Sequence, residues 1–249
     1  MDSKNTLNYL KSGVDLSKAA NLKENMKSIL SKHQKEHNIG NFGGLFEIKD
    51  YKNPVLISST DGVGSKLLVY SELNKYNLLG QDLVNLSVND IVCIGAYPLF
   101  FLDYIAVEKI NEENILSIIQ GIVKACEENN CKLVGGETAQ MAEVYTEGKF
   151  DLAGFIVGIS EKNKIKNKSN TKNGDLLIGI PSNGIHTNGY SLVRKVFKIE
   201  QNKQILYEHF DELNSTLGEE LSKPHISYFP LIKKIQNYMK ISAHITGGG

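Results

Sequence analysis

The sequence predicts a mixed α/β protein built in two parts, and three observations carry this. Short apolar runs of strand character alternate with amphipathic helical stretches. Glycine-rich turns follow several of the strand candidates. A lysine- and asparagine-rich segment, residues 160–174, is nearly free of apolar side chains and divides the chain into parts of roughly 1–160 and 174–249. Placing the boundary inside that segment gives domains of 1–165 and 166–249.

In order along the chain, residues 1–40 are polar, with one helical stretch around residues 22–30. The glycine-rich turn 40-GNFGG leads into a short apolar strand, and 54-PVLISST is a second strand that stops at 61-DGVGSK. Leu83, Val84, Val88, Ile91 and Val92 recur at helical spacing; Gly95 suits the helix C-terminus and Pro98 forbids continuation. The run 99-LFFLDYIAV reads as a buried strand. Ile115, Ile118, Ile119, Ile122, Val123 and Cys126 fit one helix face. Strands follow at 132-KLVGGE and 150-FDLAGFIVGIS. Beyond the polar segment, 175-DLLIGI reads as a strand, and residues 192–197 and 231–235 as helices. The sequence then closes on the strand-like, glycine-rich 243-AHITGGG.

Composition narrows the function classes. At 41% hydrophobic and 22% charged, the chain can bury a core and should be globular and soluble. Lysine plus arginine equals aspartate plus glutamate at 28 each, so no basic field points to nucleic acid. No apolar run approaches the ~20 residues that span a bilayer, and the N-terminus lacks an apolar signal core. Cys93, Cys126 and Cys131 lack metal-ligand spacing. A cytoplasmic protein with reduced, structural thiols is expected, with neither nucleic acid nor membrane as partner.

Three carboxylates stand where phosphate chemistry could use them. Asp61 follows a strand and opens a Gly62-x-Gly64 turn, with Lys66 close behind; Asp90 sits beside Asn89 in an otherwise apolar helix; Glu137 follows Gly135-Gly136. Mg2+ takes one or two carboxylates and borrows further oxygens from phosphate and water, and glycines let backbone N–H groups approach phosphate. Asp61 also fits an ordinary Asp-Gly turn, Asp90 a solvated helix face, and Glu137 a plain loop acid. Neither the phosphate-loop signature nor the Rossmann fingerprint is present.

The segment 180-IPSNGIHTNGYSLVRK holds two Asn-Gly pairs around His186. Asn-Gly usually marks a hairpin, but three intervening residues are too few for a strand and the following sequence is helical. The segment therefore reads as strand, loop and helix N-terminus, an anion site in which His186 could bind phosphate or move a proton.

Together, 13-GVDL, 42-FGGLFE, 60-TDGVGSK, 82-DLVNLSVNDIVCIGAYPLFFLDYIA, 135-GGETA, 180-IPSNGIHTNGYSLVRK and 243-AHITGGG resemble the aminoimidazole ribonucleotide synthetase family, also called phosphoribosylformylglycinamidine cyclo-ligase. The resemblance runs the length of the chain. It implies a two-domain α/β (α+β) aminoimidazole ribonucleotide synthetase-like fold, whose first domain contributes strands to a barrel in a homodimer. It implies ATP-dependent closure of formylglycinamidine ribonucleotide to aminoimidazole ribonucleotide, ADP and phosphate, in purine biosynthesis. Cofactors would be ATP and Mg2+, with a monovalent cation such as K+ also allowed.

By that resemblance, Asp61, Asp90 and Glu137 would hold the metal. His186, Asp90, Lys66 and His244 would be catalytic. Lys27, Asp61, Gly62, Gly64, Asn89, Gly135, Gly136, Ser182, Gly184, Asn188 and Gly189 would line the ATP and phosphate site. This chain departs from the family pattern at Gln140, Ala142 and Glu143, where an acid, a proline and a glycine are usual, and at Ser65 and Tyr97. The family also continues past AHITGGG, so the second domain is expected to be incomplete at its C-terminus, exposing part of its core. The alternatives are a related ATP-using enzyme of the superfamily and a non-catalytic nucleotide-binding or dimerisation module.

Overall fold

In the computed structural model, residues 16–33 and 43–247 are described. The GVDL motif up to residue 15, the turn residues 40–42, and Gly248 and Gly249 lie outside them. Helix α1 (Leu16–His33) precedes β1 (Pro54–Gly62), α2 (Lys66–Glu72), α3 (Tyr76–Val92) and β2 (Tyr97–Val107). Then come α4 (Glu112–Glu128), β3 (Lys132–Gln140) and β4 (Phe150–Glu161). Past the polar segment are α5 (Tyr190–Val196), the two-residue strands β5 (His209–Phe210) and β6 (Ser215–Thr216), α6 (Leu217–Leu221) and α7 (Phe229–Ile235).

The first four strands form one sheet in the order β1-β4-β2-β3. Strand β4 pairs antiparallel with β1 and β2, whereas β2 and β3 run parallel, joined through α4 as a βαβ unit. Helices α3 and α4 cover one face. They approach closely because each carries a glycine at the crossing: a Cβ on Gly80 would lie 2.0 Å from the Ile118 carbonyl oxygen, and one on Gly121 would lie 2.0 Å from that of Asn77. The main core lies between these helices and the sheet, with Leu83, Ile91, Phe101, Ile105, Ile119 and Ile122 out of water.

The opposite sheet face is open in part. Strand β1 alternates buried-side and exposed residues, as a one-sided strand must. Leu56 and Phe155 are exposed. Residues 43–50 form no strand. They lie against the open face instead, with the Phe46 ring 5.4 Å from Phe100 and Gly44 tight against Val134.

A second, smaller core joins Tyr190, Ile199, Leu206, Leu217 and Leu221 to Val69 of α2, while Phe229 and Ile232 of α7 enter the main core. The two parts are therefore interleaved. Residues 175–180 run without a strand partner, with Leu176 at 91% and Leu177 at 100% exposure. A strand needs a neighbour for its backbone groups, and none stands beside this apolar run among the described residues.

Candidate active site

The loop 61–66 and the histidine loop 182–189 meet. Gly64, at φ +62°, turns left-handed and comes within 4.0 Å of the Thr187 carbonyl oxygen at its Cβ position. Ser65 and Ser191 share a 3.0 Å hydroxyl contact. On the neighbouring side, Asp90 at the end of α3 accepts from Ser59 Oγ at 2.8 Å and from His244 Nδ1 at 3.1 Å. Burial alone would raise the Asp90 carboxyl, but the hydrogen bonds from His244 and Ser59 outweigh it and hold the group below its ordinary value, ionised.

Asp61 lies two residues past Ser59 on the same strand, so its side chain shares the face and end that Asp90 occupies. Its Oδ1 accepts from the Gly62 N–H. Glu137 does not join them within this chain. Asp61 sits in a row with Gly154, Asp103 and Gly136, and Glu137, one residue on, points to the opposite sheet face. Strands β4 and β2 intervene, about 14 Å at three strand spacings. Among the described residues no cluster of three or more His, Cys, Asp or Glu side chains is set to hold a metal. Of the three expected acids, the structure brings Asp61 and Asp90 to one end of β1 and sets Glu137 apart from them within this chain. Gly135 and Gly136 stay with β3, where Gly136 leaves room for the buried Asp103 carboxyl, which burial and the nearby Glu137 push up to about 7.

Lys66 and Asn89 also differ from expectation. Lys66 is fully buried, with Nζ donating to Asp82 Oδ2 and to the Lys223 carbonyl oxygen. Asn89 uses its whole amide on the second part of the chain: Nδ2 donates to the Ile226 carbonyl oxygen and meets His225 Nε2, and Oδ1 accepts from the Tyr228 N–H. Both residues hold the segment 223–228 against α3. Lys27 lies on the exposed side of α1, paired with Glu24 at 2.7 Å.

The histidine loop is built by its own polar atoms. Ser182 Oγ donates to the Gly184 carbonyl oxygen, Asn183 Nδ2 to that of Pro224, and the Asn188 N–H to that of Ile185. Gly184 and Gly189 are both left-handed, and Gly189 opens α5. The Asn183 N–H donates to His186 Nε2 at 3.0 Å. A backbone N–H can only donate, so this nitrogen carries a lone pair and the His186 proton resides on Nδ1. Burial first, then the Lys66 charge and His244, lower the His186 pKa to about 4. The ring is thus a neutral N–H donor, with its basic nitrogen already engaged.

Sequence profiles of the AIR synthase related protein family match twice, its N-terminal domain at residues 44–160 and its C-terminal domain at 172–249. A phosphoribosylformylglycinamidine cyclo-ligase of Thermoanaerobacter pseudethanolicus is 46% identical over 98% of this chain and 73% of its own length. The chain belongs to the phosphoribosylformylglycinamidine cyclo-ligase family. A cyclo-ligase of Geobacillus thermodenitrificans is likewise 46% identical, over 97% of this chain and 71% of its own length. Among solved structures, a thiamine-monophosphate kinase of Stenotrophomonas maltophilia shares the fold at a TM-score of 0.56 and 14% identity, covering 87% of this chain and 64% of that one. The hydrogenase maturation protein HypE of E. coli does so at 0.52 and 13%, covering 86% and 61%.

Sequence reasoning missed His225. It lies 1% exposed, its ring centroid 4.1 Å from His186 and 5.9 Å from His244. The one signal for it was indirect. Asp82, Asn85 and Asn89 recur at i, i+3 and i+7, a polar stripe on an otherwise apolar helix that requires a polar partner.

Proposed function

We propose that this protein closes the imidazole ring of a purine precursor, converting formylglycinamidine ribonucleotide and ATP to aminoimidazole ribonucleotide, ADP and phosphate. The observation that carries this reading is the 46% identity over 98% of the chain to proteins named for that reaction. The division into domains 1–165 and 166–249 is part of the same proposal.

The chemistry begins with an amide oxygen, a poor leaving group. ATP phosphorylates that oxygen, a substrate nitrogen attacks the activated carbon, and phosphate leaves as the ring closes. Such transfer depends on alignment and charge stabilisation. Asp61 and Asp90 would hold Mg2+ with the nucleotide phosphates, since two adjacent carboxylates, one of them held ionised, suit an ion that draws its other ligands from phosphate and water. That ion would neutralise phosphate charge.

His186 offers Nδ1–H to the negative charge that develops on the transferring group, which supports a charge-stabilising role over a general base. His244 directs its Nδ1 proton to Asp90 and leaves Nε2 for the substrate side. Gly62, Gly64, Ser182, Gly184, Asn188 and Gly189 shape the walls. Lys66 and Asn89 act through the backbone they hold. Lys27, Gly135, Gly136 and Glu137 receive no catalytic role within a single chain, and no residue set is assigned to a monovalent cation.

We place the enzyme in the cytoplasm as a homodimer. The three cysteines are free, and no helix among the described residues is long and apolar enough to cross a membrane. The apolar positions Leu56 and Phe155 on the open sheet face support pairing with a second copy. The test is incubation of the purified gene product with formylglycinamidine ribonucleotide and MgATP. Equal amounts of aminoimidazole ribonucleotide, ADP and phosphate are expected; ATP use only with a different acceptor overturns the reading.

A further inference from the structure

We propose that His225 is a positioning residue for this reaction, fixing the His186 ring so that Nδ1–H is the atom left free for substrate. The inference rests on the cyclo-ligase reading for what that ring acts upon, and on the geometry for everything else.

Each polar atom of His225 has a partner. Its N–H donates to Asp82 Oδ1 at 2.7 Å, and its carbonyl accepts from Asn85 Nδ2 at 2.8 Å. Ring Nε2 lies 3.0 Å from Asn89 Nδ2, and Nδ1 lies 3.2 Å from Thr187 Oγ1. The orientation of the Asn89 amide follows from its other bonds. Oδ1 accepts from the Tyr228 N–H, so Nδ2 is the donor end. His225 Nε2 must then be the unprotonated nitrogen, and its proton sits on Nδ1, directed at Thr187. Protonating Nε2 would set two N–H groups against each other. Burial, then His186, His244 and Lys66, lower this imidazole's pKa to about 2.

This rigid, neutral ring stacks on His186 at 4.1 Å with 29° between planes. Turning the His186 ring over would lose its bond from the Asn183 N–H, and the stacked face leaves little room to tilt. His186 Nδ1 has no hydrogen-bond partner among the described residues and is not sealed from solvent, as a donor awaiting substrate requires. Asn89 also directly precedes Asp90. One turn of α3 therefore places both the phosphate-side acid and, through His225 and Thr187, the histidine loop.

The test uses the whole protein carrying 15N-labelled histidine. At pH 7, long-range 1H–15N spectra are expected to show His186 as a single Nδ1–H tautomer. His225→Gln retains an acceptor for Asn89 but removes the stacked ring. It is expected to give mixed His186 tautomers and to lower kcat on the order of 10- to 100-fold, with KM for both substrates unchanged. Should that variant fail to fold, Thr187→Val, which removes the acceptor for His225 Nδ1–H, is expected to show the same split with a smaller loss. An unchanged His186 tautomer, or an unchanged kcat, in the folded variants overturns the proposal. The spectra need no substrate, so failure of wild-type protein to cyclise would count against the cyclo-ligase reading alone.

Discussion

Nζ of Lys66 lies 2.6 Å from Oδ2 of Asp82, and neither side chain reaches water. Burial pushes the Lys66 ammonium down and the Asp82 carboxyl up, while their attraction opposes both shifts. Tyr70 and the His225 N–H complete the shell of Asp82, and the Lys223 carbonyl gives Lys66 a second acceptor. Removing one partner strands the other charge. Lys66→Met is therefore expected to cost about 3–5 kcal/mol in urea unfolding. An unchanged stability with a raised KM for ATP would instead return Lys66 to the phosphate site.

Asp90 stands in the opposite position, half-buried and held ionised by Ser59 and His244. Asp90→Asn keeps the shape and removes the charge. We expect kcat/KM for MgATP to fall about 100-fold with the unfolding midpoint nearly unchanged. A large loss of stability at unchanged ATP affinity would make Asp90 structural.

The α3–α4 crossing tolerates no added methyl. At Gly121 a Cβ would stand 2.0 Å from the Asn77 carbonyl oxygen, a backbone atom that cannot turn aside. Gly121→Ala, although it raises helix propensity, is expected to destabilise the protein by about 1–3 kcal/mol, read from the urea midpoint. A neutral or stabilising result would mean that the helices are further apart.

Acid should weaken the fold through the histidines. His186 and His225 have folded pKa values lowered to about 4 and about 2, so between pH 6.5 and 4 the unfolded chain binds protons that the folded chain refuses. Their contribution to stability is present above pH 6.5 and is lost as pH falls, down to about 4 for His186 and about 2 for His225. Buried Asp103, raised to about 7, works in the opposite direction, so a variant comparison isolates the effect. The groups facing His225 are His186, His244, Lys66 and Asp82. Between pH 7 and 5 His225→Gln should lose about 2 kcal/mol less stability than wild type. Equal losses would show that His225 is protonated in the folded state.

Much of the fold was legible because local pattern sufficed. The apolar spacing of Leu83, Val88 and Ile91 marked α3, and the runs at 54–60, 99–107 and 150–160 became paired strands. Residues 175–180 carry an equally apolar run, yet remain unpaired, because a strand is completed by its neighbour and not by its own pattern. The glycine and histidine loops were readable from their spacing. The partners of Lys66 and Asn89 were not: segment 223–228, which supplies most of them, lies far along the chain and carries no periodic signal. Glu137 was grouped with Asp61 and Asp90 by motif, whereas strand alternation sends it to the other face.

In the proposed reaction the substrate's own amide oxygen takes the phosphoryl group before the ring closes. The most direct measurement follows that oxygen. Formylglycinamidine ribonucleotide labelled with 18O at the formyl oxygen is turned over with MgATP in unlabelled water, and the released phosphate is examined by mass spectrometry. One 18O atom in each phosphate, formed together with aminoimidazole ribonucleotide, is the predicted result. Unlabelled phosphate would mean that ATP is spent on water or another acceptor, and would overturn the proposed reaction.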